Sequence, residues 1–256
     1  MDKILETITQ IQDVADDCIL QYFRKPFVID EKSDASPVTI ADRETERKIR
    51  AIITTRHRDD AIIGEEFPDI TGSGDQWVID PIDGTLSFVY GNPLFGSLIG
   101  VIRDDRVIAG GMTVPATRER WLATHDSLTL HNNSVCQTST CDLLKNARIA
   151  ATSPQFFPAS GFDSFTRFMA LADACHYLRF GGDCYLYGLL ANGTLEIVCE
   201  TGLKPYDILP LVPLIEQAGG IVSDWEGKPL RLSMRGDVLA CANASLHCQA
   251  LDIVGK

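Results

Sequence analysis

The chain predicts a layered α/β fold, two β-sheets with helices packed on them, and three observations carry that prediction. Apolar residues near the N-terminus recur at three-four spacing, a series of closely spaced β-like runs follows, and beyond about residue 145 strands and helices alternate. The 256 residues amount to one or two domains at a prior of about 150 residues each. A Ser-, Thr- and Asn-rich segment at 132–142 is the candidate boundary, dividing the chain into halves 1–140 and 141–256.

Within the first 23 residues, Ile4, Leu5, Ile8, Ile11, Val14, Ala15, Cys18, Ile19 and Tyr22 make the apolar face of an amphipathic helix. A second helix is predicted from Ile40 to His57, with Thr39 as N-cap and Asp42 and Glu44 in its first turn. Strands are predicted at Ala61–Gly64, Trp77–Asp80, Ser97–Arg103, Arg106–Val114 and Arg120–Thr124. Their close spacing, with turn residues such as Asp104-Asp105 between them, points to a largely antiparallel sheet. In the second half, strands are expected at Arg148–Thr152, Tyr177–Phe180, Thr194–Glu200, Ile221–Asp224 and Val238–Ala242. Helices are expected at Phe162–Ala172, Asp183–Ala191, Ile208–Ala218 and Ser245–Val254. Pro210 suits the first turn of a helix capped by Asp207, whereas Pro213 must kink that helix or delay its regular start.

Charge narrows the function. Twenty-three Lys and Arg against 35 Asp and Glu leave a net charge of −12, which argues against a dedicated nucleic-acid binder. A phosphorylated substrate remains compatible, because a bound cation inverts the local field. The N-terminal residues lack signal-peptide features and no stretch approaches 18 uncharged apolar residues, so no membrane partner is expected. The eight cysteines include no C-x-x-C pair, and the expectation is reduced, mostly buried thiols in a cytoplasmic protein. The five histidines are scattered and fall in no recognisable motif.

The informative stretch is Trp77-Val78-Ile79-Asp80-Pro81-Ile82-Asp83-Gly84-Thr85, where an apolar strand ends in a carboxylate and a second carboxylate follows three residues on. Upstream, the buried-strand pattern Ala61-Ile62-Ile63-Gly64 opens onto Glu65-Glu66 in the same way. Hard cations such as Mg²⁺ take oxygen ligands, and rigid strand ends are where such side chains converge. Taken singly, each of these residues reads equally well as a turn former or helix cap. Two such clusters close in sequence, with Asp207 opening a helix downstream, favour a magnesium site.

The segments Gly64-Glu65-Glu66, Asp80-Pro81-Ile82-Asp83-Gly84-Thr85 and Asp207 to Gly220 resemble, in order and separation, the signature of the inositol monophosphatase superfamily. Arg179-Phe180-Gly181-Gly182-Asp183-Cys184-Tyr185 and Gly202-Leu203-Lys204-Pro205-Tyr206-Asp207 resemble its histidinol-phosphate phosphatase branch. Inositol monophosphatases themselves usually carry Trp-Asp in place of Tyr206-Asp207 and a run of small residues in place of Asp183-Cys184-Tyr185. The resemblance implies a five-layer αβαβα sandwich of the inositol monophosphatase/fructose bisphosphatase type, and commonly a homodimer. It implies Glu65, Asp80, Asp83 and Asp207 as side-chain ligands to two or three Mg²⁺ ions, with the Ile82 carbonyl as a further ligand. Thr85 would hydrogen-bond the attacking water, Asp42 would orient Thr85, and Glu66 would support a ligand or meet a third metal. The amides of Gly84 and Thr85 could hold phosphate oxygens.

Asp183 and Glu200 fall where the superfamily binds the leaving-group alcohol, beside Asp207. Asp183 is the discriminating position, since histidinol phosphate carries an ammonium and an imidazole; its bland reading is a helix N-cap after Gly181-Gly182. Arg179 either reaches a phosphate, in its own or a neighbouring site, or pairs with an acid at a strand edge. The expected activity is Mg²⁺-dependent hydrolysis of a small phosphate monoester, L-histidinol phosphate first and myo-inositol 1-phosphate or a related polyol phosphate second. The reading from another class is a non-catalytic partner of transcription machinery, a role some bacterial members of the superfamily have; the metal set and the negative charge count against it as sole function.

Overall fold

Apolar patterning and the placement of proline and glycine account for most of the architecture in the computed structural model, which describes residues 1–26, 29–31, 37–160 and 163–255. Helix α1 (Asp2–Leu20) buries Ile4, Ile8, Ile11, Ala15 and Ile19, as its periodicity requires. A short hairpin, β1 (Ile29–Glu31) and β2 (Pro37–Thr39), leads into α2 (Ile40–Arg56). Thr39 caps α2 by accepting from the Ala41 amide at 3.1 Å, and His57 lies just past its last turn.

The larger sheet runs in simple order through β3 (Ala61–Gly64), β4 (Gln76–Asp83), β5 (Gly96–Arg103), β6 (Arg106–Val114), β7 (Glu119–Thr124), β8 (Leu130–His131) and β9 (Ser134–Val135). Only its first pair, β3 with β4, is parallel; the rest is antiparallel, as the short connections demand. Helix α3 (Thr85–Val89) follows β4 directly. The smaller sheet comprises β10 (Arg148–Ala151), β11 (Tyr177–Phe180), β12 (Ile197–Glu200), β13 (Ile221–Ser223) and β14 (Val238–Cys241), in the order β11-β10-β12-β14-β13. Helix α4 (Ser164–Ala174) precedes β11; the predicted helix began at Phe162, outside the described residues. Helices α5 (Tyr185–Ala191), α6 (Pro205–Ile208), α7 (Val212–Glu216) and α8 (Ala244–Val254) complete the chain. No helix among the described residues is long and apolar enough to cross a membrane.

Five layers are held together chiefly by three of the four buried clusters among the described residues. Ile8, Ile11, Ile49 and Ile53 of α1 and α2 pack on Trp77, Ile79, Ile99 and Val101, on one face of the large sheet. The alternate residues Val78, Leu98, Ile102 and Met112 face inward, against Leu186, Leu190, Leu211 and Leu214 and the inner face of the small sheet. On the outer face of the small sheet, Phe168 and Leu171 of α4 and Leu246 and Ala250 of α8 cover Ile149, Ile197 and Cys241. Each fully buried aliphatic or aromatic side chain here contributes about 1.5–3 kcal/mol. The order helix, sheet, helix, sheet, helix is the αβαβα sandwich that the resemblance implied.

Several predicted elements differ in detail. The helix expected over Ile208–Ala218 is three pieces, α6, a 3-10 turn at Leu209–Leu211, and α7. Pro210 and Pro213 each lack the N–H needed to continue a regular helix, so every piece restarts with proline in its first turn. Asp207 is the third residue of α6 rather than its cap, and its carboxylate accepts from the Lys204 amide at 2.7 Å. The strand expected from Thr194 begins at Ile197, and the helix expected from Asp183 begins at Tyr185. The last helix is capped by Asn243, which accepts from Leu246 N at 3.1 Å.

A pair of glycines connects this packing to the site. Gly100 and Gly110 face each other across β5 and β6 and leave a hollow in the inner face of the large sheet. Pro210 sits in it: a Cβ on Gly110 would overlap the Pro210 carbonyl oxygen, and one on Gly100 would stand 3.0 Å from its Cα. Asp207, one turn earlier, is thereby seated over the end of β4. Gly110→Ala should cost about 1–3 kcal/mol in a denaturant titration, the scale of overpacking. A loss below about 0.5 kcal/mol, the level of an ordinary surface substitution, would show that the hollow does not set this contact.

Candidate active site

Asp80 and Asp83 are three residues apart, so in a regular strand they would point to opposite faces. They do not, because β4 carries a bulge between them. Asp80 pairs with Leu98 and Asp83 with Gly96, three residues against two, so the extra residue returns both carboxylates to the inward face. Pro81 sits in the bulge, where its missing N–H breaks no ladder bond. Asp80 Oδ1 then accepts from the Ile82 amide at 3.0 Å, and Asp83 Oδ2 from the Cys184 amide at 2.6 Å. That second bond needs close approach: a Cβ on Gly96 would stand 2.7 Å from Cys184 Sγ.

Asp207 completes the group. Carboxylate oxygens of Asp80, Asp83 and Asp207 lie within 4.8 Å of one another. They sit in a cavity of about 510 Å³ that Glu65, Ile82, Gly84, Thr85, Asp183 and Glu200 also line. Burial holds the carboxyls of Asp80 and Asp83 well above the usual carboxylate range, and the neighbouring charges push further. For Asp80 these neighbours are Glu65, Asp83 and Asp207; for Asp83 they are Asp183 and Asp207. Burial likewise pushes Asp207 up to about 7. An all-oxygen donor set under mutual repulsion matches a hard divalent cation, which takes such ligands and removes the repulsion. The residues present therefore fit Mg²⁺.

Thr85 opens α3, with Gly84 before it in the left-handed region at φ 78°. Its hydroxyl is 3.0 Å from the Ile82 carbonyl and 3.4 Å from Asp42 Oδ1. Asp42 is fully buried behind it; its other oxygen accepts from Thr39 N at 2.8 Å and Thr39 Oγ1 at 2.6 Å. Burial pushes Asp42 up to about 6 against those hydrogen bonds. The residue that caps α2 from within its first turn thus also supports the Thr85 hydroxyl.

Beside Gly84, where an added Cβ would stand 2.8 Å from its carboxyl carbon, Asp183 is in the left-handed region at φ 46° and does not cap α5, which corrects the bland expectation for it. Asp183 Oδ2 accepts from Ser87 Oγ at 2.6 Å, and burial pushes its carboxyl up to about 6. Glu200 is buried and doubly engaged, accepting from Thr152 N at 2.6 Å and from the Tyr187 hydroxyl at 2.7 Å. Burial and Glu200 push the Tyr187 phenol well up, so it stays a donor. Cys184 also lines the cavity, but burial holds its thiol far from the thiolate form that nucleophilic attack would need.

Two of the expected residues do not line the cavity. Arg179 lies in β11 at the edge of the small sheet, exposed and outside the cavity lining. Glu66 is outside the lining as well, its amide donating to Glu46 Oε2 at 2.8 Å. Ser87 and Tyr187 were missed, because each is an ordinary helix residue in sequence and nothing local signals a site; Lys204 lay in a motif segment but was given no role. No histidine lines the cavity among the described residues.

A layered αβαβα sandwich with three carboxylates converging over a bulged strand end defines a class of metal-dependent phosphatases. The chain belongs to the inositol monophosphatase family, whose model matches residues 1–255. A histidinol-phosphatase of Chlorobaculum parvum is 31% identical, over 100% of this chain and 98% of its own. A chloroplastic bifunctional phosphatase of Arabidopsis thaliana, IMPL2, is 37% identical over 98% of this chain and 75% of its own. Among solved structures, an inositol monophosphatase from Zymomonas mobilis superposes with a TM-score of 0.90 at 39% identity, covering 100% of this chain and 98% of that one.

Raised carboxyl pKa values have a consequence for stability. Asp42, Asp183 and Asp207 bind protons more tightly folded than unfolded, where the value is 3.8. Their contribution is full below pH 4 and is lost as pH rises through about 6–7. In chelator, the melting temperature should fall between pH 5 and pH 7.5, and Mg²⁺ should raise it more at pH 7.5 than at pH 5. An equal Mg²⁺ increment at both values would contradict the repulsive cluster.

Proposed function

We propose that the chain is a Mg²⁺-dependent phosphomonoesterase that hydrolyses L-histidinol phosphate to L-histidinol and phosphate by direct attack of water, without a phosphoenzyme. The observation that carries this reading is a further buried carboxylate, Asp183, lining the same cavity beside the Asp80–Asp83–Asp207 cluster. The cluster suits a metal and a phosphate, and the further carboxylate beside it suits a cationic leaving group. The similarity to a histidinol-phosphatase along nearly its whole length supports the same choice. Hydrolysis of inositol 1-phosphate is the second reading, supported by the 39% identical inositol monophosphatase and by another of Synechocystis at 31%.

Glu65, Asp80, Asp83 and Asp207, with the Ile82 carbonyl, would hold two to three Mg²⁺ ions. Bound there, Mg²⁺ supplies Lewis acidity, polarising the phosphate and lowering the pKa of water. The chain's own groups do the rest. Thr85, donating its one proton to Asp42 or to the Ile82 carbonyl, keeps lone pairs that accept from the attacking water and fix its direction. Asp42, buried and tied to Thr39, sets the rotamer of that hydroxyl. The amides of Gly84 and Thr85, in the first turn of α3 where helical N–H groups lack internal partners, are available to phosphate oxygens. Asp183, steadied by Ser87, receives the ammonium, and Glu200 closes the leaving-group side. Glu66 supports the adjacent ligand. Arg179, on the edge strand, is assigned no role in its own cavity. The reading also carries a homodimer, and a cytoplasmic placement in which the eight free thiols stay reduced.

The test of substrate is kcat/KM for histidinol phosphate against inositol 1-phosphate on one preparation: the reading requires the former to be larger. Thr85→Ala should lower kcat with little change in KM, and Thr85→Ser should be milder. Equal impairment of the two variants would point to the methyl group instead. Asp183→Asn should lower kcat/KM for histidinol phosphate more than for glycerol phosphate, by about 2 kcal/mol or roughly 30-fold. An equal drop on both substrates would make Asp183 structural and remove the main support for a cationic substrate.

A further inference from the structure

Glu65 stands on a loop that leaves β3 and returns to it. The loop's ends are tied by the Ile62–Ile70 bridge, with N–H···O distances of 2.9 and 2.8 Å. Its crest is held by a buried ion pair on α2. Arg50 Nε donates to Glu46 Oε1 at 2.7 Å, and the two side chains are 10% and 0% exposed. The remaining nitrogens of Arg50 reach Pro68 O and Phe67 O, each at 2.9 Å, while Glu46 Oε2 accepts from the Glu66 amide at 2.8 Å. The guanidinium also lies 5.8 Å from the Phe67 ring centroid. The rigid fork of arginine and the two oxygens of glutamate are both in use, an arrangement that neither Lys nor Gln reproduces in full.

The close fit extends to Gly64. A Cβ there would overlap the Glu46 carboxylate and stand 2.7 Å from Arg50 Nη2. The glycine of Gly64-Glu65-Glu66 thus makes room for the latch, with α2 pressed against the last residue of β3. The loop also brings Glu65 into the lining of the cavity that holds Asp80, Asp83 and Asp207.

We propose that Glu46 and Arg50 are positioning residues that latch the 64–68 loop and thereby present Glu65 to the metal cluster. The proposal rests on the Mg²⁺-phosphatase reading. Neither residue touches the cavity, so their effect runs through the loop.

The decisive comparison uses the full chain, wild type against Glu46→Gln/Arg50→Met, which removes both buried charges together and leaves neither unpaired. Mg²⁺ affinity is read by calorimetry, and hydrogen exchange of the 62–70 segment is read without metal. The double variant should bind Mg²⁺ about tenfold more weakly and exchange faster at Glu66. Arg50→Lys should fall between it and wild type, and Gly64→Ala should weaken Mg²⁺ in the same direction by displacing Glu46. If Mg²⁺ affinity in the double variant stays within about twofold of wild type, the latch idea is overturned even where stability falls. Unchanged exchange at 64–68 overturns it too. A wild type that binds Mg²⁺ yet hydrolyses no phosphate monoester removes the phosphatase reading alone, and the affinity comparison still decides the latch. A wild type that binds no Mg²⁺ overturns both.

Discussion

Carboxylates gathered at the buried end of a strand repel one another, and the surrounding structure is built to hold them together against that force. Asp80 and Asp83 come to one face through the bulge at Pro81, and Asp207 reaches them from α6. Each is fixed by a backbone amide: Ile82 N for Asp80, Cys184 N for Asp83 and Lys204 N for Asp207. These donors come from three separate segments, so correct folding of both halves is a condition for assembling the site. The amides lower the cost of each charge but do not cancel it, which is why burial still raises all three carboxyls.

The layers explain how remote segments are brought to one point. Inward-facing Val78, Leu98 and Met112 meet Leu186, Leu211 and Leu214 in a single core, and the active-site ends of β4, α5 and α6 emerge at its margin. Seating Pro210 in the Gly100–Gly110 hollow sets the height of α6 above the sheet, and therefore of Asp207. The proline-broken α6–α7 segment follows from the same requirement: a continuous helix cannot descend into that hollow and then turn along the sheet.

Much of this was legible in the residues, and what was not has identifiable causes. The outer helices and the meander of the large sheet follow from local periodicity, because each buries one face along its length. The motif at Asp80–Thr85 was legible because its carboxylates, proline and glycine are adjacent in sequence. Asp183 was ambiguous: Asp after two glycines is a good cap, and only the left-handed backbone and Ser87, 96 residues away, show otherwise. Glu46 and Arg50 were invisible as an active-site feature, since an i, i+4 acid–base pair on a helix ordinarily reads as a solvated surface pair. Their burial comes from the 64–68 loop folding over them, a tertiary event with no local signature. Arg179 lies on the edge strand, outside the cavity lining, a placement its sequence had left open.

The central claim is that the bulge after Asp80 builds a divalent-cation site shared with Asp207. Diffraction from crystals soaked in Mn²⁺, recorded at the manganese edge, tests it directly. The account predicts an anomalous peak within about 2.3 Å of carboxylate oxygens from Asp80, Asp83 and Asp207. No peak among them at saturating Mn²⁺, or a peak held by other residues, would contradict it.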